Sequence, residues 1–115
     1  MPALTEARDV TRGTVTNLVK SGDLTAVGQT PWMPLSGPGE HVFTCDVEAV
    51  SAPLGTFIVE AQQVLRDGTR GTVKTIYSST LTTDFPQVGR LSGWWEVRVR
   101  CSAYTSGTYN ASVTQ

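Results

Sequence analysis

The chain has 115 residues with nine basic and ten acidic side chains, a formal net charge of −1. A chain of that length makes one domain and buries roughly two-thirds of its unfolded surface, enough for a core without metal or disulfide support. The near-neutral balance argues against a nucleic-acid binder, and no run of about 18 apolar residues is present to form a membrane helix.

Eleven glycines and six prolines, with many Thr, Ser and Val residues, fit short strands joined by turns. The first ten residues (MPALTEARDV) are polar and lack the apolar stretch of a secretory signal, so synthesis in a reducing cytoplasm is expected. Two cysteines are too few for a disulfide scaffold.

Residues 1–23 follow no strong period. Val15 is out of phase with Leu18, and Ser21-Gly22-Asp23 is a turn signal. We expect an arm over residues 1–23 and a sandwich domain over residues 24–115. Val10, Val15, Leu18 and Val19 are too apolar for a solvating tail, so the arm is expected to add a strand to a neighbouring subunit. The alternative is that residues 15–19 form an edge strand of their own domain.

Residues 24–27 read as a short strand. Residues 32–35 lie between prolines and read as an edge, because proline donates nothing to a ladder. Residues 40–50 (EHVFTCDVEAV) alternate clearly, with Phe43, Cys45, Val47 and Ala49 inward. Residues 56–65 follow as a partner strand with Phe57, Val59 and Ala61 in phase, and the change of phase at Gln62-Gln63-Val64 signals a bulge or the end of the buried part. Asp67-Gly68 marks a hairpin loop. Residues 72–80 make a strand with Val73, Thr75 and Tyr77 in phase, and residues 81–89 read as a loose connection.

Residues 94–101 (WWEVRVRC) carry the strongest signal. Trp95, Val97, Val99 and Cys101 fall on one side and Trp94, Glu96, Arg98 and Arg100 on the other, a split that only a half-buried strand explains. Residues 104–108 read as the last turn, before a strand with Tyr109, Ala111 and Val113 inward. Seven or eight short strands with frequent turns make an all-β antiparallel sandwich, jelly-roll or immunoglobulin-like.

Chemistry is scarce. His41 is the only histidine, and with two cysteines it cannot complete a tetrahedral zinc site. No GxSxG elbow, P-loop or dinucleotide motif occurs, so neither catalytic residues, cofactor nor metal are expected. Cys45 and Cys101 both fall on inner faces, either as a cross-core pair or as buried thiols. Asp46 and Glu48 are expected to face Arg98 and Arg100 across neighbouring strands, which would leave both arginines replaceable at a cost within about 1 kcal/mol. Trp94, Arg98 and Arg100 fit a protein interface, a sugar or nucleic-acid platform, or plain surface. Asn110-Ala-Ser112 matches a glycosylation triplet, which means little without a secretion signal.

The segments GQTPWMPLSGPGEHVF (28–43), DGTRGTV (67–73) and GWWEVRVRCSAYTSGTYNASVTQ (93–115) together resemble small β-sandwich modules of tailed-bacteriophage virion proteins. Gly93, Trp94, Trp95, Val97, Arg98 and Val99 match a G-W-Y/W-x-V-R-V strand of those modules. Tyr104 to Thr108 match the turn that follows it. The resemblance spans residues 24–115 and implies a capsid decoration, head-fibre or tail-associated protein. The expected partners are capsid or tail subunits of the same particle, contacted through Val10, Val15, Leu18, Val19, Trp94, Arg98 and Arg100. Homo-oligomerisation and glycan binding stay open; membrane and nucleic acid are not expected.

Overall fold

The structure, a computed structural model, describes residues 18–115. It is all-β, with seven strands in one antiparallel sheet. They are β1 (Leu18–Leu24), β2 (Gly28–Gln29), β3 (Met33–Leu35), β4 (Glu40–Gln63), β5 (Lys74–Ser79), β6 (Gln87–Ser92) and β7 (Trp95–Thr114).

Two of these strands are far longer than the usual five or six residues. β4 has 24 residues and β7 has 20, because each crosses both layers of a sandwich. Residues 44–49 of β4 pair with residues 109–114 of β7; beyond a bend, residues 54–63 pair with residues 95–106. One layer therefore holds β1, the C-terminal part of β7, the N-terminal part of β4, and β6. The other holds β2 and β3, the N-terminal part of β7, the C-terminal part of β4, and β5. The molecule measures 40 × 38 × 19 Å, and the short dimension suits two layers about 10 Å apart with side chains on both outer faces.

The core lies between the layers. Phe43, Cys45, Val47, Tyr109, Ala111 and Val113 come from one layer, and Phe57, Val59, Ala61, Val97, Val99 and Cys101 from the other. Met33 and Leu35 close one side. Phe57 and Tyr109 meet edge to face across the layers, with ring centroids 5.2 Å apart, and the Tyr109 hydroxyl donates to the Ala26 carbonyl at 2.7 Å. Trp95 packs against this core as its alternation predicts.

Several expectations change, among them the strand over residues 24–27, where residues 25–27 form a bend between β1 and β2. First, the arm does not extend through Asp23: Leu18–Leu24 form β1, with Leu18 opposite Thr114 and Val19 opposite Val113. A bulge between Lys20 and Asp23, with Gly22 at φ 73°, reverses the parity, so Val19 and Leu24 both turn toward the core. That reversal hid the strand from a period-two reading. Val10 and Val15 lie outside the described residues. Second, the loose connection over residues 81–89 contains a 3-10 turn (Thr82–Asp84) and the start of β6, which pairs with β4. Third, residues 104–108 do not reverse the chain; β7 bends there and stays paired with β4. Fourth, Ala49 is exposed, because the bend begins there.

The bend depends on Gly107, at φ 92°. A Cβ there would lie 2.5 Å from the Pro53 Cα and 2.6 Å from the carbonyl oxygens of Ser51 and Ala52. Backbone cannot swing aside as a side-chain tip can. Gly107→Ala should therefore lower stability by about 2–5 kcal/mol through combined strain and overpacking. Gly22→Ala, with open space around its Cβ position, should cost only about 1–2 kcal/mol from its positive φ. Urea melts of the two variants check the difference.

Candidate functional site

The polar side of β7 does not face solvent alone. Ladder register places Gln62 opposite Glu96, Glu60 opposite Arg98, and Ile58 opposite Arg100. Glu60 accepts from Arg98 Nε at 2.9 Å and from Arg100 Nε and Nη2, each at 3.1 Å. Its side chain is only 6% exposed, against 19% and 35% for the two arginines. The Arg98 guanidinium also stacks on the Trp32 ring, 4.3 Å from its centroid, a contact that further orients the charge.

A second cluster continues along the same face. Glu96 accepts from Gln62 Nε2 at 2.9 Å and from Arg70 Nε and Nη2 at 3.2 and 3.0 Å. Burial by itself would raise the Glu60 carboxyl, but hydrogen bonds and charge from Arg100 and Arg98 outweigh it and hold the group below the ordinary carboxylate value. The Arg70 hydrogen bond does the same for Glu96, against a smaller opposing effect of burial.

The expected pairing with Asp46 and Glu48 is therefore corrected. Those residues lie opposite Ser112 and Asn110, in the other layer. The arginines have a nearer partner in Glu60, whose outward position in the strand is in phase with Ile58 and Gln62. Arg98 is correspondingly less replaceable than an exposed partner of Asp46 would be, since its removal strips a buried carboxylate of one donor. Arg98 and Arg100 come together on Glu60, while Leu18 and Val19 sit in the other layer on β1.

Trp94 stands apart from both clusters. It precedes β7, is 53% exposed, and its carbonyl accepts from Val64 N at 2.9 Å. Its neighbour Trp95 turns the other way and donates from Nε1 to the Ser92 carbonyl. A cleft of about 420 Å³ lies between Trp94 and Val64, Leu65, Arg66 and Gly68. Its wall is braced: Leu65 N donates to Thr69 O, Gly68 N to Leu65 O, and Thr69 N to Asp67 Oδ1. Arg66 escaped the sequence reading because a hairpin loop carries no periodic signal, and Leu65 because the strand expected over residues 56–65 ends at Gln63, so parity no longer sets its side.

His41 is held at the entry to β4, with Nε2 donating to the Gly37 carbonyl at 3.0 Å and Nδ1 accepting from Gln115 at 3.3 Å. Cys45 and Cys101 are buried and unbonded to each other. Burial pushes the Cys45 thiol up to about 12, which suppresses thiolate chemistry near neutrality. Among the described residues no three His, Cys, Asp or Glu side chains cluster as metal ligands, and no helix is long and apolar enough to cross a membrane. No family model, curated protein or solved structure matches the chain.

Glu60→Gln keeps the shape of the clamp and removes its charge, so it should cost about 1–3 kcal/mol at pH 7. Because the folded carboxyl titrates below its unfolded value, its contribution is complete above the unfolded pKa of about 4.3 and disappears as pH falls through the folded one. Stability measured from pH 7 to pH 3 should therefore fall less steeply in Glu60→Gln than in the parent. Glu40→Gln breaks only an exposed 3.5 Å pair with Arg90 and should change stability by no more than about 0.5 kcal/mol.

Proposed function

We propose that this chain is a non-catalytic structural subunit of a tailed-bacteriophage virion, an accessory protein of the capsid or tail. It would act by binding neighbouring subunits, be made in the host cytoplasm and reside in the particle. The observation that carries the reading is the way its side chains are divided. Glu60, Glu96, Arg70, Arg98 and Arg100 are committed to one another on a sheet face, whereas Trp94, Leu65, Val50 and Leu54 are large, apolar and about half exposed. Exposed apolar groups on a rigid scaffold serve contact with other macromolecules, and tryptophan is enriched where such contacts concentrate their energy. The likeness of residues 93–115 to virion sandwich modules supplies the particle context.

A carbohydrate-binding reading is favoured by one feature, the accessible Trp94 indole beside a cleft. Sugar rings stack on such a face, and polar neighbours fix their hydroxyls.

Quantitative mass spectrometry of purified, salt-washed particles tests the leading reading. The chain should be present in a fixed copy number per particle; its absence would overturn the proposal. On a glycan array the protein should show no saturable signal. Reproducible binding that disappears in Trp94→Ala would move the conclusion to the carbohydrate reading.

A further inference from the structure

The layer formed around residues 54–63 of β4 ends in two unlike apolar surfaces. At one end Trp94 and Leu65, 53% and 46% exposed, flank the open cleft of about 420 Å³, with Arg66 on its rim. At the other end, roughly 30 Å away along a ten-residue strand, the chain turns over between the layers. There Val50 and Leu54 are 54% and 58% exposed.

The two ends are both held rigid. The cleft is concave and braced by the hairpin hydrogen bonds of residues 64–71. The bend is exposed at residues 49–52 and 54, yet tightly supported, because Pro53 is buried beneath it and Gly107 packs against the Ser51 and Ala52 carbonyls. Little ordering entropy remains to be lost at either surface on contact.

They are complementary in charge. Arg66 makes no ion pair among the described residues, in contrast to Arg70, Arg98 and Arg100. Glu48, two residues before Val50, is exposed and makes none either.

We propose that the occupant of the Trp94 cleft is a second copy of this chain, which inserts the Val50 and Leu54 bend and brings Glu48 to Arg66. This deepens the reading of the protein as a binding subunit. The two surfaces differ, so the contact is heterologous: each copy offers a cleft to one neighbour and a bend to another. Such a contact generates a ring where the rotation closes and a row where it does not.

Sedimentation velocity of the full chain, run over a wide concentration series, tests the idea with two surface variants. The parent should associate as concentration rises. Trp94→Ser and Leu54→Ser should each weaken association by about thirtyfold or more, the effect of removing a contact hot spot, while melting like the parent. Mixing the two variants in equal amounts should restore a dimer and nothing larger, since one intact cleft meets one intact bend and both remaining surfaces are blocked. Arg66→Glu should weaken association, and Glu48→Arg in the same chain should recover it.

A parent that stays monomeric throughout, or variants that associate as the parent does, would overturn the proposal. Mixed variants that form no dimer would do the same. A monomeric chain that is nevertheless found in purified particles removes this contact and leaves the virion reading standing. A self-associating chain absent from particles does the reverse.

Discussion

The structure depends on two long strands bending together without losing their pairing. β4 and β7 stay hydrogen-bonded on both sides of the fold line, with bulges on the way through. The irregularities compensate. Cys45 faces Val113 before the bend and Phe57 faces Cys101 after it, twelve residues further along each strand. An uncompensated slip of one residue would exchange the two faces of one layer. Phe57, Val59 and Ala61 would then point outward, while Ile58, Glu60 and Gln62 would be driven into the core. The hydrophobic cluster and the outer ion pairs are thus two consequences of one register.

That linkage gives Glu60 a role beyond stabilisation. A largely buried carboxylate clamped by two arginines gains little over a well-packed apolar side chain, because desolvation offsets most of the attraction. Its value lies in discrimination. Only the observed register sets Glu60 opposite Arg98 and beside Arg100, and the displaced register would put an unpaired carboxylate in the core at several kcal/mol. The Trp32 ring over Arg98 and the Arg70 fork on Glu96 extend the arrangement along the face. The result is a sheet surface rich in charge whose charges are already matched.

Much of this architecture was legible in the sequence wherever a strand buries a full alternating series. Phe43, Cys45 and Val47, then Phe57, Val59 and Ala61, then Val97, Val99 and Cys101, and finally Tyr109, Ala111 and Val113 all fall inward as their spacing implies. β6 was not legible, because its central inward position is Gly89. The Phe43 ring from the neighbouring strand occupies that space, so half of the apolar signal is carried by another segment. β1 was hidden by its bulge, and the 104–108 bend looked like a chain reversal because both use the same small and polar residues. The outward position of Trp94 followed from parity. The partner of Arg98 did not, since Asp46, Glu48 and Glu60 look alike until the bend assigns the first two to the other layer.

The same geometry sets the ends of the sandwich apart from the face that carries the matched charges. One outer face is filled by matched charges, and replacing them disturbs the register that positions the core. At the ends, the backbone is fixed by hydrogen bonds that ignore side-chain identity, such as Val64 N to Trp94 O and Leu65 N to Thr69 O. Side chains there are held in place without being needed for packing. Trp94 and Leu65 at one end, and Val50 and Leu54 at the other, are about half exposed and lie outside the core cluster. A large apolar side chain kept at such a position adds nothing to the fold of the isolated chain and raises its tendency to associate. Four of them sit at the two ends of one rigid strand ladder.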